Sequence, residues 1–201
     1  MNVKSAVALP LFALFLGSCS TSNPPQEQQS SPEKTVAEKP FVPGGNIDIQ
    51  LEGGDYTLRP STDNAIRVAF SGNTGNAGAD VKVDGQRANL EVRNTPHNNF
   101  HAAIEVPASS NLVIHLSGGN LAIAGIVGDK DINSGAGNVE IAIADPDEYA
   151  IAEGSVTAGD LDDGVFGKSG SGLNPHFSWQ GHGKYKLRAS LGAGNLVLKR
   201  K

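Results

Sequence analysis

The residues able to do chemistry are few, and their spacing limits what they can be. The run Asp162-Asp163-Gly164-Val165-Phe166-Gly167-Lys168-Ser169 ends like a phosphate-binding loop. That loop needs glycine at its first position, where the backbone curls round the phosphates. Asp162 puts a repelling carboxylate there, and Gly170-Ser171-Gly172 is no helix start, so a nucleotide is not expected. Ser169 and Ser171 do not fall in a G-x-S-x-G elbow. His97 and His101 have the spacing that grips a metal on a helix, but Asn98-Asn99-Phe100 between them reads as loop. His115 alternates onto the wet face of a strand, and His176 and His182 lie in a glycine-rich stretch. Acids gather at Asp129 with Asp131, at Asp145 with Asp147 and Glu148, and at Asp160 with Asp162 and Asp163. Calcium favours such oxygen-rich turns, yet the nine-residue glycine-aspartate repeat of calcium-binding coils is missing. The acids read as solubilising turns that block edge pairing. Phe177, Trp179 and Tyr185 cluster late in the chain, either to stack on a sugar or to cap a core. Cys19 is the only cysteine, which excludes an intramolecular disulfide and a cysteine zinc cage. The expectation is no catalytic residue, no metal site and no cofactor: a chain that is not an enzyme.

Whatever these residues do is set by the elements that hold them. From residue 46 onward apolar residues alternate with polar ones: Ile47, Ile49 and Leu51; Tyr56 and Leu58; Ile66, Val68 and Phe70; Val81 and Val83; Leu90 and Val92; Ile104 and Val106; Leu112, Ile114 and Leu116. A period of two marks strands with one buried face, and no window carries a helical stripe. The fold class is all-β. Up to about residue 107 the pattern predicts meandering antiparallel strands, with Asp84-Gly85 at a hairpin turn and residues 71–80 as an exposed loop. Beyond Leu112 strand starts recur behind a small-residue signature: Gly119-Asn120, Gly137-Asn138, Gly159-Asp160 and Gly194-Asn195. The steps between the Asn/Asp positions are 18, 22 and 35 residues. That is the size of a solenoid rung, the last step holding two rungs or an insertion. Glycine supplies the positive φ that a sharp bend needs, and stacked Asn120, Asn138 and Asn195 are placed to bond from rung to rung. The alternative is a β-sandwich in which each signature is a separate hairpin turn.

The chain begins with Lys4, an apolar run from Ala6 to Leu16, and small residues at Gly17 and Ser18. This predicts a signal peptide over residues 1–18. Leu16-Gly17-Ser18-Cys19 resembles the bacterial lipobox. The resemblance implies cleavage before Cys19, a diacylglyceryl thioether on its sulfur and an acylated amino group, palmitate being one such chain. Two or three acyl chains anchor where one does not, since each buried methylene contributes about 0.8 kcal/mol. Ser20 after the cysteine favours the outer membrane by the same resemblance, or the plasma membrane in a Gram-positive host. Residues 19–43, rich in Ser, Pro, Gln and Glu, predict a disordered tether, and the folded domain is placed at 44–201.

The stretches "SGGNLAI", "SGAGNVEI" and "GKYKLRASLGAGNLVLK" resemble the adhesin-like, β-helical domain of unknown function of bacterial envelope proteins, related to the auto-transporter adhesin head domain. The resemblance implies a β-solenoid-like fold over about residues 45–201 and carries no catalytic residues. With a net charge of −5 and no long basic run, nucleic acid is not an expected partner. The expected function is a lipid-anchored, non-catalytic envelope protein that presents an adhesion or scaffolding surface to envelope proteins or glycans. The alternative is a carbohydrate-binding or polysaccharide-processing protein.

Overall fold

The computed structural model describes residues 33–201; the signal segment and Cys19 lie outside the described residues. Fourteen strands form one hydrogen-bonded network. They are β1 (Lys34–Pro40), β2 (Asn46–Leu51), β3 (Gly54–Pro60), β4 (Ala65–Gly72), β5 (Gly78–Asp84), β6 (Arg87–Arg93) and β7 (Phe100–Val106), together with β8 (Asn111–Leu116), β9 (Gly119–Ala124), β10 (Lys130–Ile143), β11 (Tyr149–Asp163), β12 (Ser169–Leu173), β13 (His176–Gln180) and β14 (Tyr185–Arg200). The only helical element among the described residues is a single 3-10 turn, Pro146–Glu148, capped by the Asp145 carboxylate.

The network is an all-β, nearly closed, barrel-like sheet. Strands β10, β11 and β14 are long and serve two walls. The first half of β10 pairs in parallel with β8, and its second half with β9. Strand β14 pairs in parallel with β10 along its length and with β11 on its other side. One wall therefore runs β5-β6-β2-β8-β10-β14-β11-β13, and the other β1-β4-β7-β3-β9-β10-β14-β11-β12.

Several expectations are corrected. The first half is not an antiparallel meander: β2 is parallel to β6 and β8, and β3 to β7 and β9. Antiparallel pairing there is confined to β1-β4, β4-β7 and the β5-β6 hairpin, whose turn holds Gly85. Residues 34–40, assigned to the tether, form β1. That strand has little apolar surface and is held by backbone pairing to β4 and by ion pairs such as Glu38–Arg67 at 3.0 Å, while the nearby Phe41 ring is buried. Of the expected loop 71–80, both ends are strand, leaving only residues 73–77 as turn. The long insertion before β14 is likewise strand, since β12 and β13 pair antiparallel to β11.

Alternation explains the core. In the first wall Leu90, Ile49, Ile114, Ile132, Ala189 and Gly154 share one inward row in register. Their size falls toward β11, and a Cβ on Gly154 would run into the Phe177 ring that fills the space instead. The facing row is Ile104, Leu58, Ile123, Ile141 and Leu198. Each fully buried aliphatic side chain contributes about 1.5–3 kcal/mol. Val83 breaks the pattern and is exposed, as it lies on the edge strand β5.

Candidate interaction surface

The corner between the walls is built from stacked glycines. Gly119, Gly137, Gly194 and Gly159 are neighbours in register. Gly137 and Gly194 have φ of 120° and 126°, and a Cβ on either would collide with the carbonyl oxygen of the glycine beneath it. The bend thus demands glycine twice over, for its dihedral and for the closeness of the next strand.

Because every strand bends at the same level, the residues one step past the glycines are stacked as well. They form a ladder in the order Asp55, Asn120, Asn138, Asn195 and Asp160. Asn120 Nδ2 donates to Asp55 Oδ1 at 2.6 Å, Asn138 Nδ2 to Asn120 Oδ1 at 2.8 Å, and Asn195 Nδ2 to Asn138 Oδ1 at 2.8 Å. Each of the three amides keeps one N–H, and at least one lone pair, for solvent or a partner. His101 extends the row, its Nδ1 lying 3.4 Å from Asp55 Oδ2. Asp55 was missed in the sequence although Gly53-Gly54-Asp55 repeats the Gly118-Gly119-Asn120 signature. Asp160 ends the ladder next to Asn195, not next to Asn138, because β14 lies between β10 and β11.

Beside the ladder the outer wall is low. Thr57, Ala103 and Ala122 floor a groove of about 360 Å³, with Asp55, Glu140 and Arg59 at its rim. Arg59 pairs with Glu105 at 3.1 Å and Glu33 at 3.0 Å, and Arg67 with Asp63 at 2.7 Å. The other wall has its own polar row: Asn111 Nδ2 donates to Asn46 Oδ1 at 3.0 Å, Asp129 N–H to Asn111 Oδ1 at 3.0 Å, and Lys186 N–H to Asp129 Oδ1 at 2.8 Å. A second groove of about 360 Å³ lies there, lined by Asp48, Val113, Asp131 and Arg188 among others. Both surfaces are shallow and prearranged, suited to contact over an area.

The end beyond β11 is closed by the segment that mimics a phosphate loop. Asp163 takes an inward position, in register with Leu198, and is 3% exposed. Its Oδ1 accepts the N–H groups of Val165 and Phe166 at 3.1 and 2.8 Å, and its Oδ2 that of Lys168 at 3.2 Å. The backbone amides that would cradle a phosphate are already turned onto the chain's own carboxylate. The loop so formed lays Phe166 over the core end, 4.7 Å from Trp179 and 6.0 Å from Phe177 between ring centroids. Phe177 is buried and Trp179 and Tyr185 are packed against the core, the arrangement of a cap.

A cationic group points inward as well. Lys130 replaces an aliphatic residue in the row Ile47, Leu112, Leu187 and is 3% exposed. Its Nζ donates to Gly128 O at 3.1 Å and to Tyr149 Oη at 2.9 Å. Burial pulls its pKa from 10.5 down to about 8, against the opposing pull of Glu148 and Asp129, and burial pushes Tyr149 up to about 12.

The remaining candidates stay dispersed. His97 is exposed in a turn, His115 stands on an outer face, His182 lies in a turn, and His176 Nδ1 sits 3.1 Å from Asn174 O. Contrary to the loop reading of its surroundings, His101 is on strand β7. Among the described residues no group of three His, Cys, Asp or Glu is arranged to hold a metal, and no helix is long and apolar enough to cross a membrane.

No protein-family model matches the chain, and no curated protein matches it. Among solved structures, a candidate adhesin from Bacteroides fragilis NCTC 9343 aligns over 83% of this chain and 97% of its own at 11% identity, but with a TM-score of 0.24 it enters no argument. A candidate cell adhesion protein from Clostridium sporogenes ATCC 15579 aligns over 85% of this chain and 100% of its own, at 14% identity and a TM-score of 0.53, and that similarity is one of fold.

Proposed function

We propose that this chain is a non-catalytic envelope protein, lipid-anchored through Cys19, whose domain is a short two-walled β-solenoid that presents its outer faces for adhesion or scaffolding. The observation that carries the reading is the hydrogen-bonded row Asp55-Asn120-Asn138-Asn195 beside a low floor of Thr57, Ala103 and Ala122. Side chains locked to one another lose little entropy when a partner docks, so a broad surface of this kind favours binding without any deep cleft. The in-register parallel pairing at the glycine corner supports the solenoid over separate hairpins, and the likeness to a candidate cell adhesion protein supports an adhesive role. The lipobox resemblance at Leu16-Gly17-Ser18-Cys19 supports the anchor, and Ser20 after it supports the outer membrane or, in a Gram-positive host, the plasma membrane.

The test compares cells carrying the chain with cells lacking it for attachment to surfaces coated with envelope extract or glycans. The variant Ala122→Arg fills the groove beside the ladder and lowers attachment to the level of the deletion, while labelled palmitate is lost in Cys19→Ala. Equal attachment with and without the chain, or release of reducing sugar from a polysaccharide by the purified protein, overturns the reading.

A further inference from the structure

The described chain starts on the groove that runs beside the amide ladder. Glu33 lines that groove together with Thr57, Ala103 and Ala122. Its carboxylate accepts from Arg59 Nη2 at 3.0 Å. The strand that follows at once, β1, is three strands away from β3 in the order β1-β4-β7-β3. On β1 itself Glu38 reaches only Arg67 of the adjoining β4, at 3.0 Å. The chain ahead of β1 therefore comes in across the outer face of the wall and not off its edge. Residues 20–32, outside the described residues, join the domain at that point. They read Ser-Thr-Ser-Asn-Pro-Pro-Gln-Glu-Gln-Gln-Ser-Ser-Pro, and Glu27 is their only charge.

We propose that segment 20–32 docks in this groove and lays its own amide side chains on the amide ladder. Pro24, Pro25 and Pro32 favour the polyproline II conformation, which rises about 3.1 Å per residue with three residues per turn. Asn23, Gln26 and Gln29 recur every third residue, so that conformation sets all three on one side, about 9 Å apart. Alternate strands of a sheet are about 9–10 Å apart, and Asn120 and Asn195 stand on alternate strands, β9 and β14, with β10 between them. The spare N–H and lone pair of each ladder amide are what a primary amide on the segment can take up. The four residues from Glu33 to Gln29 cover about 12 Å in this conformation, and the ladder from Asp55 to Asn195 covers three strand spacings, about 14 Å. Glu27 falls on the side shared by Ser30 and Glu33, off the ladder. Being joined to the groove through Glu33, the segment has an effective concentration that a free peptide lacks. One consequence rests on the adhesive reading given above: the docked tether competes with any outside partner for the same surface.

The test uses the full chain with Cys19→Ala, so that two introduced cysteines are the only thiols, under a mild oxidant. Ser30→Cys, which leaves every amide of the segment in place, is combined with Ala122→Cys on the groove floor or with Val36→Cys, exposed on β1 and nearer along the chain. The 30–122 disulfide closes at least fivefold faster than the 30–36 disulfide. Glu33→Arg, which sets a cation against Arg59, slows the first at least threefold and leaves the second unchanged. Equal or faster closure at position 36, a 30–122 rate indifferent to Glu33→Arg, or disulfides between chains in place of within one chain would each overturn the proposal. These rates do not depend on attachment, so the two readings fail separately: an empty groove leaves attachment intact, and a non-adhesive surface leaves the crosslink intact.

Discussion

Lys130→Met is expected to make the protein more stable at neutral pH and to erase one segment of its pH profile. Lys130 has its folded pKa depressed from 10.5 to about 8 by burial. The unfolded chain therefore holds a proton that the folded chain prefers to lose, and stability must rise with pH through the interval between the two values. Below pH 8 the charged amine costs the fold about 3 kcal/mol relative to the neutral amine. About 2 kcal/mol of that is recovered between pH 7 and 9.5. Methionine fills a similar volume without charge, but leaves Gly128 O and Tyr149 Oη without their donor, at about 1 kcal/mol each. The net gain at pH 7 is about 1–2 kcal/mol. It vanishes near pH 9.5, where the wild-type amine has lost its proton. Work above pH 10 is avoided because Tyr149, raised to about 12, then removes stability as the unfolded phenol ionises. Urea unfolding at pH 7, 8, 9 and 9.5 reads both effects. A wild-type curve flat across this window, or a methionine variant less stable at pH 7, refutes the reasoning.

Gly137→Ala should cost more than 3 kcal/mol or prevent folding, because its Cβ meets the Gly119 carbonyl oxygen and its φ is 120°; Gly167→Ala, with open space at its Cβ, should cost only about 1 kcal/mol, both read by urea midpoints. Asn138→Ala removes two ladder bonds and should cost about 1–2 kcal/mol, while Asn138→Asp should cost more, since it sets a carboxylate against Asn120 Oδ1. Asp163→Ala should cost about 2–3 kcal/mol by leaving three loop N–H groups, that of Val165 buried, without their acceptor. Freed from that loop, Phe166 no longer covers Trp179, the single tryptophan, so its fluorescence should shift to the red.

What could be read in advance was local. Alternation located the inward residues of β2, β6, β7 and β8, and Gly-Asn and Gly-Asp pairs located the corner, because dihedral demand and period are properties of a few neighbouring residues. Strand order was not legible: nothing near Leu187 says that it lies between β10 and β11, since parallel pairing is chosen by matching rows far apart in sequence. Lys130 and Asp163 were hidden for another reason. Lys in Asp-Lys-Asp and Asp in Leu-Asp-Asp-Gly read as solvated turns, and only the distant Tyr149 Oη and the loop's own N–H groups make them tolerable inside. Strand β1 was obscured by composition, for Lys-Thr-Val-Ala-Glu-Lys-Pro offers no apolar alternation. In the candidate surface the amide row was foreseeable; its first member, Asp55, and its true order were not.

The position of β14 has a consequence for biogenesis. The chain makes β10, then β11, then the β12–β13 return, and only afterwards the strand that belongs between the first two. Until residues 185–200 arrive, a slot one strand wide stays empty on both walls, and neither β10 nor β11 can satisfy its backbone toward the other. Folding of this half therefore waits for the last segment to be delivered, whether from a ribosome or through a translocation channel. Loss of those sixteen residues would do more than trim an edge: it would split the pile in two.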